Sequence, residues 1–175
     1  SGVEAACLSG AAHLLSFTGT DTIPAIDFLE EYYGADSDKE LIGGSVPATE
    51  HSVMCMGLQD GEFETFKRLI TQTYPTGIVS IVSDTWDFWK VLTDYLPRLR
   101  SSVMGREGKV VIRPDSGDPV KIICGDPHGK THEEGLGAIR VLWDTFGGSR
   151  TPSGYRVLDP HIGLIYGDSI TPERQ

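Results

Sequence analysis

Cysteine is sparse in this sequence. Cys7, Cys55 and Cys124 are far apart and lack C-x-x-C spacing, which excludes a disulfide framework or zinc knuckle and fits reduced thiols. Long apolar runs are also missing: no window approaches the roughly 18 apolar residues of a membrane span. The opening Ser1-Gly2-Val3-Glu4-Ala5 has neither the basic nor the apolar part of a secretory signal. Positive charge is in deficit, with 15 Lys+Arg against 25 Asp+Glu and a net charge of −10. That balance excludes a general binder of phosphate backbones or anionic lipid. No Gly-x-Gly-x-x-Gly follows the first apolar run, and there is no Walker loop, internal repeat or low-complexity tract. These absences predict a cytoplasmic protein with neither nucleic acid nor membrane as partner. What is present is 175 residues, 39% of them hydrophobic, enough for a sizeable core of one domain or part of one.

Strand and helix signals alternate along the chain. His13–Phe17 is a strand candidate, followed by a turn at Gly19–Thr22 and a helix from about Pro24 to a stop at Gly34. Thr49 is placed to cap a helix beginning at Glu50-His51 and running to Met56. Phe63, Phe66 and Ile70 form a helical stripe closed by Tyr74-Pro75. The β-branched run Ile78–Val82 predicts a strand, and apolar residues at 88, 92 and 95 a helix over Trp86–Leu96. Lys109–Ile112 is a further strand, Glu133–Phe146 a helix and Ile162–Tyr166 a last strand. Met54-Cys55-Met56 and the three Trp residues are expected in the core. This order predicts an α/β fold with a parallel sheet, a barrel in preference to an open sheet. Thr171-Pro172-Glu173 announces a helix just before the sequence stops. The start is not Met, so both ends are expected to be cuts in a longer polypeptide.

Polar residues recur where strands should end: Asp21, Asp84, Arg113, Asp115 and Asp168. In both architectures the carboxyl ends of the strands face the ligand. His51, in the first turn of its helix, lies where anions are favoured and could act as base or nucleophile; a solvated surface His is the plainer alternative. Ile112-Arg113-Pro114-Asp115-Ser116-Gly117 delivers a guanidinium and a carboxylate two residues apart. These suit phosphate, a flat ring, magnesium or a ribose hydroxyl, or merely a pair bracing a strand end. Asp21 and Asp84 could equally cap helices. Four carboxylates with one Arg and one His would suit a phosphorylated sugar with magnesium. His128 and His132 have His-x₃-His spacing without a supporting helix, and the metal ligands stay unassigned.

Taken together, Phe17-Thr18-Gly19-Thr20-Asp21-Thr22, Ser45-Val46-Pro47-Ala48-Thr49-Glu50-His51-Ser52, Val82-Ser83-Asp84, Ile112–Gly117 and Tyr166-Gly167-Asp168 resemble the nicotinamide phosphoribosyltransferase family in order and spacing. The resemblance spans essentially all of residues 1–175, as the central part of the irregular (β/α) barrel of the type II phosphoribosyltransferases, with N-terminal and C-terminal portions absent. It implies transfer of the 5-phosphoribosyl group from 5-phosphoribosyl 1-pyrophosphate to nicotinamide, giving nicotinamide mononucleotide and pyrophosphate in NAD salvage. It also implies magnesium, a homodimer with sites at the subunit interface, and optional ATP coupling through a phosphohistidine at His51. By the family pattern Asp84 orients His51, Asp115 contacts ribose and the magnesium-pyrophosphate side, and Asp21 accepts from the nicotinamide amide. Arg113 stacks on the pyridine ring and assists phosphate binding, Gly167 and Asp168 line the ribosyl-phosphate site, and Ser45 and Ser80 are minor polar contacts.

Two differences from the family matter. Thr18 stands where Lys is usual, and the family's aromatic-Arg segment and glycine-rich phosphate loop fall outside this sequence, so the isolated segment is expected to be inactive. The alternatives are a nicotinate phosphoribosyltransferase and a non-catalytic phosphosugar-binding barrel fragment. A metal-dependent hydrolase lacks a His ligand set.

Overall fold

The computed structural model describes residues 2–167; Asp168 and the helix expected from Thr171 lie outside the described residues. The chain divides into two compact units, residues 1–46 and 47–175.

The first unit is built on α1 (Val3–Leu14) and α2 (Pro24–Tyr33), with Cys7, Ala11, Ala25 and Leu29 buried. The expected strand at His13–Phe17 is wrong. Residues 13 and 14 finish α1, and Leu15 and Phe17 are exposed. Ala-rich sequence upstream carries the helix through this run, which is too short for periodicity to separate strand from helix. The expected start and stop of α2 hold: Pro24 sits in its first turn, and Gly34, in the left-handed conformation, ends it. The Thr18–Thr20 segment is laced to Gly44, whose N–H donates to the Thr18 carbonyl (2.8 Å) and whose carbonyl accepts from Thr20 N–H (2.9 Å).

In the second unit, β1 (Gly77–Val82), β2 (Gly108–Arg113) and β5 (Ile162–Leu164) form a parallel sheet in that spatial order. Ala48 adds a parallel bridge beside Ser80, with Thr49 N–H donating to the Ser80 carbonyl at 2.9 Å. Side chains alternate across a sheet. Val79, Ile81, Val110, Ile112 and Ile162 therefore share one face, buried with Phe66, Leu92, Leu96, Leu142 and Phe146. Ser80, Val82, Val111 and Arg113 share the other.

The helices covering the core are α3 (His51–Cys55), α4 (Leu58–Arg68), α5 (Phe88–Lys90), α6 (Leu96–Met104), α7 (Pro119–Cys124), α8 (His132–Leu136) and α9 (Ala138–Phe146). A π segment over Leu69–Thr73 extends α4, and another over Val91–Tyr95 joins α5 to α6 just ahead of Pro97, which has no N–H to continue an α ladder. The helix expected over Glu133–Phe146 is broken at Gly137 (φ +80°), because a Cβ there would lie 2.4 Å from Gly125 N. A hairpin of β3 (Gly148–Arg150) and β4 (Arg156–Leu158) follows α9. Trp86, Cys55 and Met56 are exposed, against the expectation of core positions; Met54 alone of its trio is buried. Among the described residues no helix is long and apolar enough to cross a membrane.

Two buried ionisable residues lie in this unit away from the strands' carboxyl ends. Arg106 is buried, and its Nη2 donates to the carbonyls of Tyr74 (2.6 Å), Thr76 (3.3 Å) and Gly77 (3.2 Å), pinning the chain ahead of β1. Glu62 on α4 is 1% exposed. Burial pushes its carboxyl pKa up, with Asp87 adding to the shift and Tyr95 and Lys90 opposing it. The folded state thus keeps this proton to higher pH than the unfolded chain, whose Glu titrates near 4.5. Stability must fall as pH rises from that value through the raised one. Glu62→Gln is expected to remove this slope and to melt higher than wild type at neutral pH. Melting temperatures measured against pH check it; a constant offset between the two proteins would contradict it.

Candidate active site

The site is assembled where β1, β2 and β5 end. After β1, the Ser83 N–H donates to the Arg113 carbonyl (2.9 Å), locking the two strand ends together. Asp84 follows at once, its side chain only 6% exposed. One of its oxygens, Oδ1, lies 3.1 Å from His51 Nε2, and the other accepts the Asp115 N–H at 2.8 Å. The Ser116 side chain donates to the same carboxylate. Burial alone would raise the Asp84 pKa, but the bonds from Ser116, Asp115 and His51 outweigh it and hold the group below the ordinary Asp range. Asp84 therefore caps no helix. The cap of α5 is Asp87, which accepts from Lys90 N–H at 3.0 Å.

The expected Thr49 cap of α3 is also replaced. Glu50 occupies the cap position without a capping side-chain bond, and Thr49 Oγ1 accepts the Val82 N–H at 2.9 Å, continuing the ladder beside β1. The Glu50 side chain reaches Arg113, with Oε2 3.5 Å from Nη2. Arg113 Nη2 also donates to Asp115 Oδ2 at 3.2 Å, and both of these side chains are largely buried, 16% and 17% exposed. Each keeps an atom without a partner: Arg113 Nε and Asp115 Oδ1 are buried and make no hydrogen bond among the described residues.

Gly167 lies against this pair. A Cβ there would sit 3.3 Å from Asp115 Oδ1 and 3.8 Å from Arg113 Cδ. The preceding Tyr166 donates its hydroxyl to the Gly117 carbonyl at 2.8 Å, tying the 113–117 strap to the end of β5. His51, Asp84, Arg113, Asp115 and Gly167 are thus brought together, while Ser80 is buried within β1 with no partner for its Oγ among the described residues. In the first unit, Ser45 Oγ donates to Asp21 Oδ1 at 2.9 Å; Asp21 caps nothing, and Thr20 Oγ1 accepts the Thr22 N–H ahead of α2. Glu50, Ser116 and Tyr166 enter the site without having been assigned a role from sequence. All three adjoin assigned residues, which was the available signal.

Among the described residues no three His, Cys, Asp or Glu side chains converge to hold a metal ion. One or two carboxylates suffice for magnesium when substrate phosphates and water complete its shell, and the open Asp115 Oδ1 is a donor of the right kind.

Comparison with known proteins bears on the same residues. The model of the nicotinate phosphoribosyltransferase (NAPRTase) family matches residues 1–175. A protein of Acinetobacter baylyi named nicotinamide phosphoribosyltransferase is 55% identical over 99% of this chain and 35% of its own length. Proteins of the same name from Mycoplasma pneumoniae and Xanthomonas campestris are 39% and 34% identical, each over 99% of this chain and 36% and 34% of their own lengths. The chain spans about a third of the length of the curated relatives it matches.

Proposed function

Because the chain belongs to the nicotinate phosphoribosyltransferase family, we propose that the full-length protein transfers the 5-phosphoribosyl group from 5-phosphoribosyl 1-pyrophosphate to nicotinamide, yielding nicotinamide mononucleotide for NAD salvage. The observation that carries this reading is the Arg113–Asp115 pair at the end of β2, buried with one donor and one acceptor still open. The names of the relatives agree with it. The parallel order β1-β2-β5, without reversal, supports an arc of a (β/α) barrel; completion of that barrel by the rest of the polypeptide, in a homodimer, belongs to the same proposal.

In the transfer, the pyridine nitrogen forms a bond to the anomeric carbon as the carbon–oxygen bond to pyrophosphate breaks. Positive charge develops on the sugar, so fixed carboxylates beside it lower the barrier. Asp115 takes the ribose side, with Arg113 against the pyridine ring and phosphate, and Gly167 and Asp168 at the ribosyl phosphate. Ser45 and Ser80 stay minor contacts. Asp115 Oδ1 is the donor that would hold magnesium beside substrate oxygens, and the ion would supply positive charge to offset the leaving pyrophosphate. With Nε2 of His51 donating to Asp84, Nδ1 keeps its lone pair; it is the nitrogen that attacks the γ-phosphorus of ATP as ADP leaves.

The test is product formation by the full-length protein from nicotinamide, the ribosyl donor and magnesium, with and without ATP. Wild type is expected to make the mononucleotide and to respond to ATP. His51→Ala is expected to keep basal transfer but lose the ATP response. No product from a folded full-length dimer would overturn the assignment and leave a non-catalytic phosphosugar-binding protein.

A further inference from the structure

We propose that the cleft bounded by α7, α9 and the β3–β4 hairpin binds a small aromatic monoanion. Its volume is about 300 Å³, within the range of small-molecule sites. Ile123 and Cys124 come from the end of α7, and Leu158 from β4. Leu136 comes from the end of α8, and Ile139, Arg140 and Trp143 fall at helical spacing on α9 and line the cleft. None of the lining residues belongs to the His51–Asp84–Arg113–Asp115 group.

Charge identifies the occupant. The chain carries a net −10, yet this rim is cationic. Arg140 is paired with Asp144, its Nε 3.0 Å from both carboxylate oxygens. Arg156 has no carboxylate within ion-pair distance among the described residues, and its guanidinium carbon lies 5.3 Å over the Trp143 ring. Arg150 stands directly opposite Arg156 in the antiparallel pair, so both project from the same face of the hairpin. Like charges opposed across strands are destabilising, and of these three arginines only Arg140 is in an ion pair. A neutral apolar guest would desolvate the guanidiniums without compensation, and an inorganic anion would leave the apolar wall unused. A flat ring against Trp143 and the aliphatic wall, with one anionic group toward Arg156, satisfies both.

The probe is 2-naphthoate, with uncharged 2-naphthamide beside it, on the full-length protein. Cys124 is an exposed thiol lining the cleft and Cys55 an exposed thiol elsewhere, so iodoacetamide labelling mapped by mass spectrometry reports occupancy with an internal control. The expected result is saturable binding of the naphthoate at one per chain, slowing Cys124 labelling about fivefold and leaving Cys55 unchanged. Loss of one charge-assisted contact in Arg156→Gln should weaken this about tenfold, as should the amide. Ile139→Glu, at a position already 42% exposed, puts a like charge in the cleft and should abolish protection if Arg156→Gln fails to fold. Naphthoate and amide protecting equally, no protection at millimolar probe, or a Cys124 already unreactive in the ligand-free protein because another segment fills the cleft would each overturn the proposal.

Discussion

In the full-length protein, Asp84→Asn is expected to remove ATP coupling through His51 and, by disturbing the strap that carries Asp115, to lower kcat/KM for ribosyl transfer by about a hundredfold, the scale of one buried group left without its partner. The cause is the count of donors. Asp84 accepts from His51 Nε2, from the Asp115 N–H and from the Ser116 side chain, and an amide offers only one oxygen. Turned so that its NH₂ meets the Asp115 N–H, it lifts the strap that carries Asp115. Turned the other way, it forces His51 into the tautomer with the proton on Nδ1, the nitrogen needed as nucleophile. The same bonds hold the Asp84 pKa below its ordinary 3.8, so its contribution to stability is complete above that value and is lost only as pH falls through the lower folded value. Steady-state kinetics and denaturation midpoints of wild type, Asp84→Asn and Asp84→Ala check this. An Asn variant keeping more than about a tenth of wild-type activity would contradict the role of Asp84 as the common acceptor.

The parallel sheet was legible because its strands are β-branched runs flanked by Gly and Pro, and Asp84 and Arg113 stand directly at their ends. Two features hidden from pattern reading depend on packing at a distance. Gly137 is only a weak local sign of a break; that its backbone takes a φ of +80°, and that only glycine fits there, follows from the close approach of Gly125 in the fold. Nor does the sequence around Arg106 signal burial, which follows only once the carbonyls of Tyr74, Thr76 and Gly77 converge on it. At the site the limit was different. His51 and Glu50 are adjacent, but the residue pattern could not tell that the cap position would fall to Glu50 and that its side chain would turn to Arg113, because Thr49 is drawn into the ladder of β1.

If the proposed transfer is read at Asp21, Asp21→Asn in the full-length protein is expected to cut the preference for nicotinamide over nicotinate about a hundredfold. The family description names nicotinate while the relatives are named for nicotinamide, so membership alone does not choose the ring, and individual side chains must. Asp21 is suited to the task. Ser45 fixes Oδ1 by donating to it at 2.9 Å, leaving Oδ2 to accept from a carboxamide NH₂ and to repel the carboxylate of nicotinate. An Asn of the same shape can turn its own NH₂ outward, gaining a donor for the acid and losing the repulsion, so kcat/KM for nicotinate should rise while that for nicotinamide falls. Ser45→Ala, which frees Asp21 to rotate but keeps its charge, should shift the ratio far less. If the ratio of the two kcat/KM values is the same in wild type and Asp21→Asn, Asp21 does not read the ring substituent, and discrimination must come from other residues.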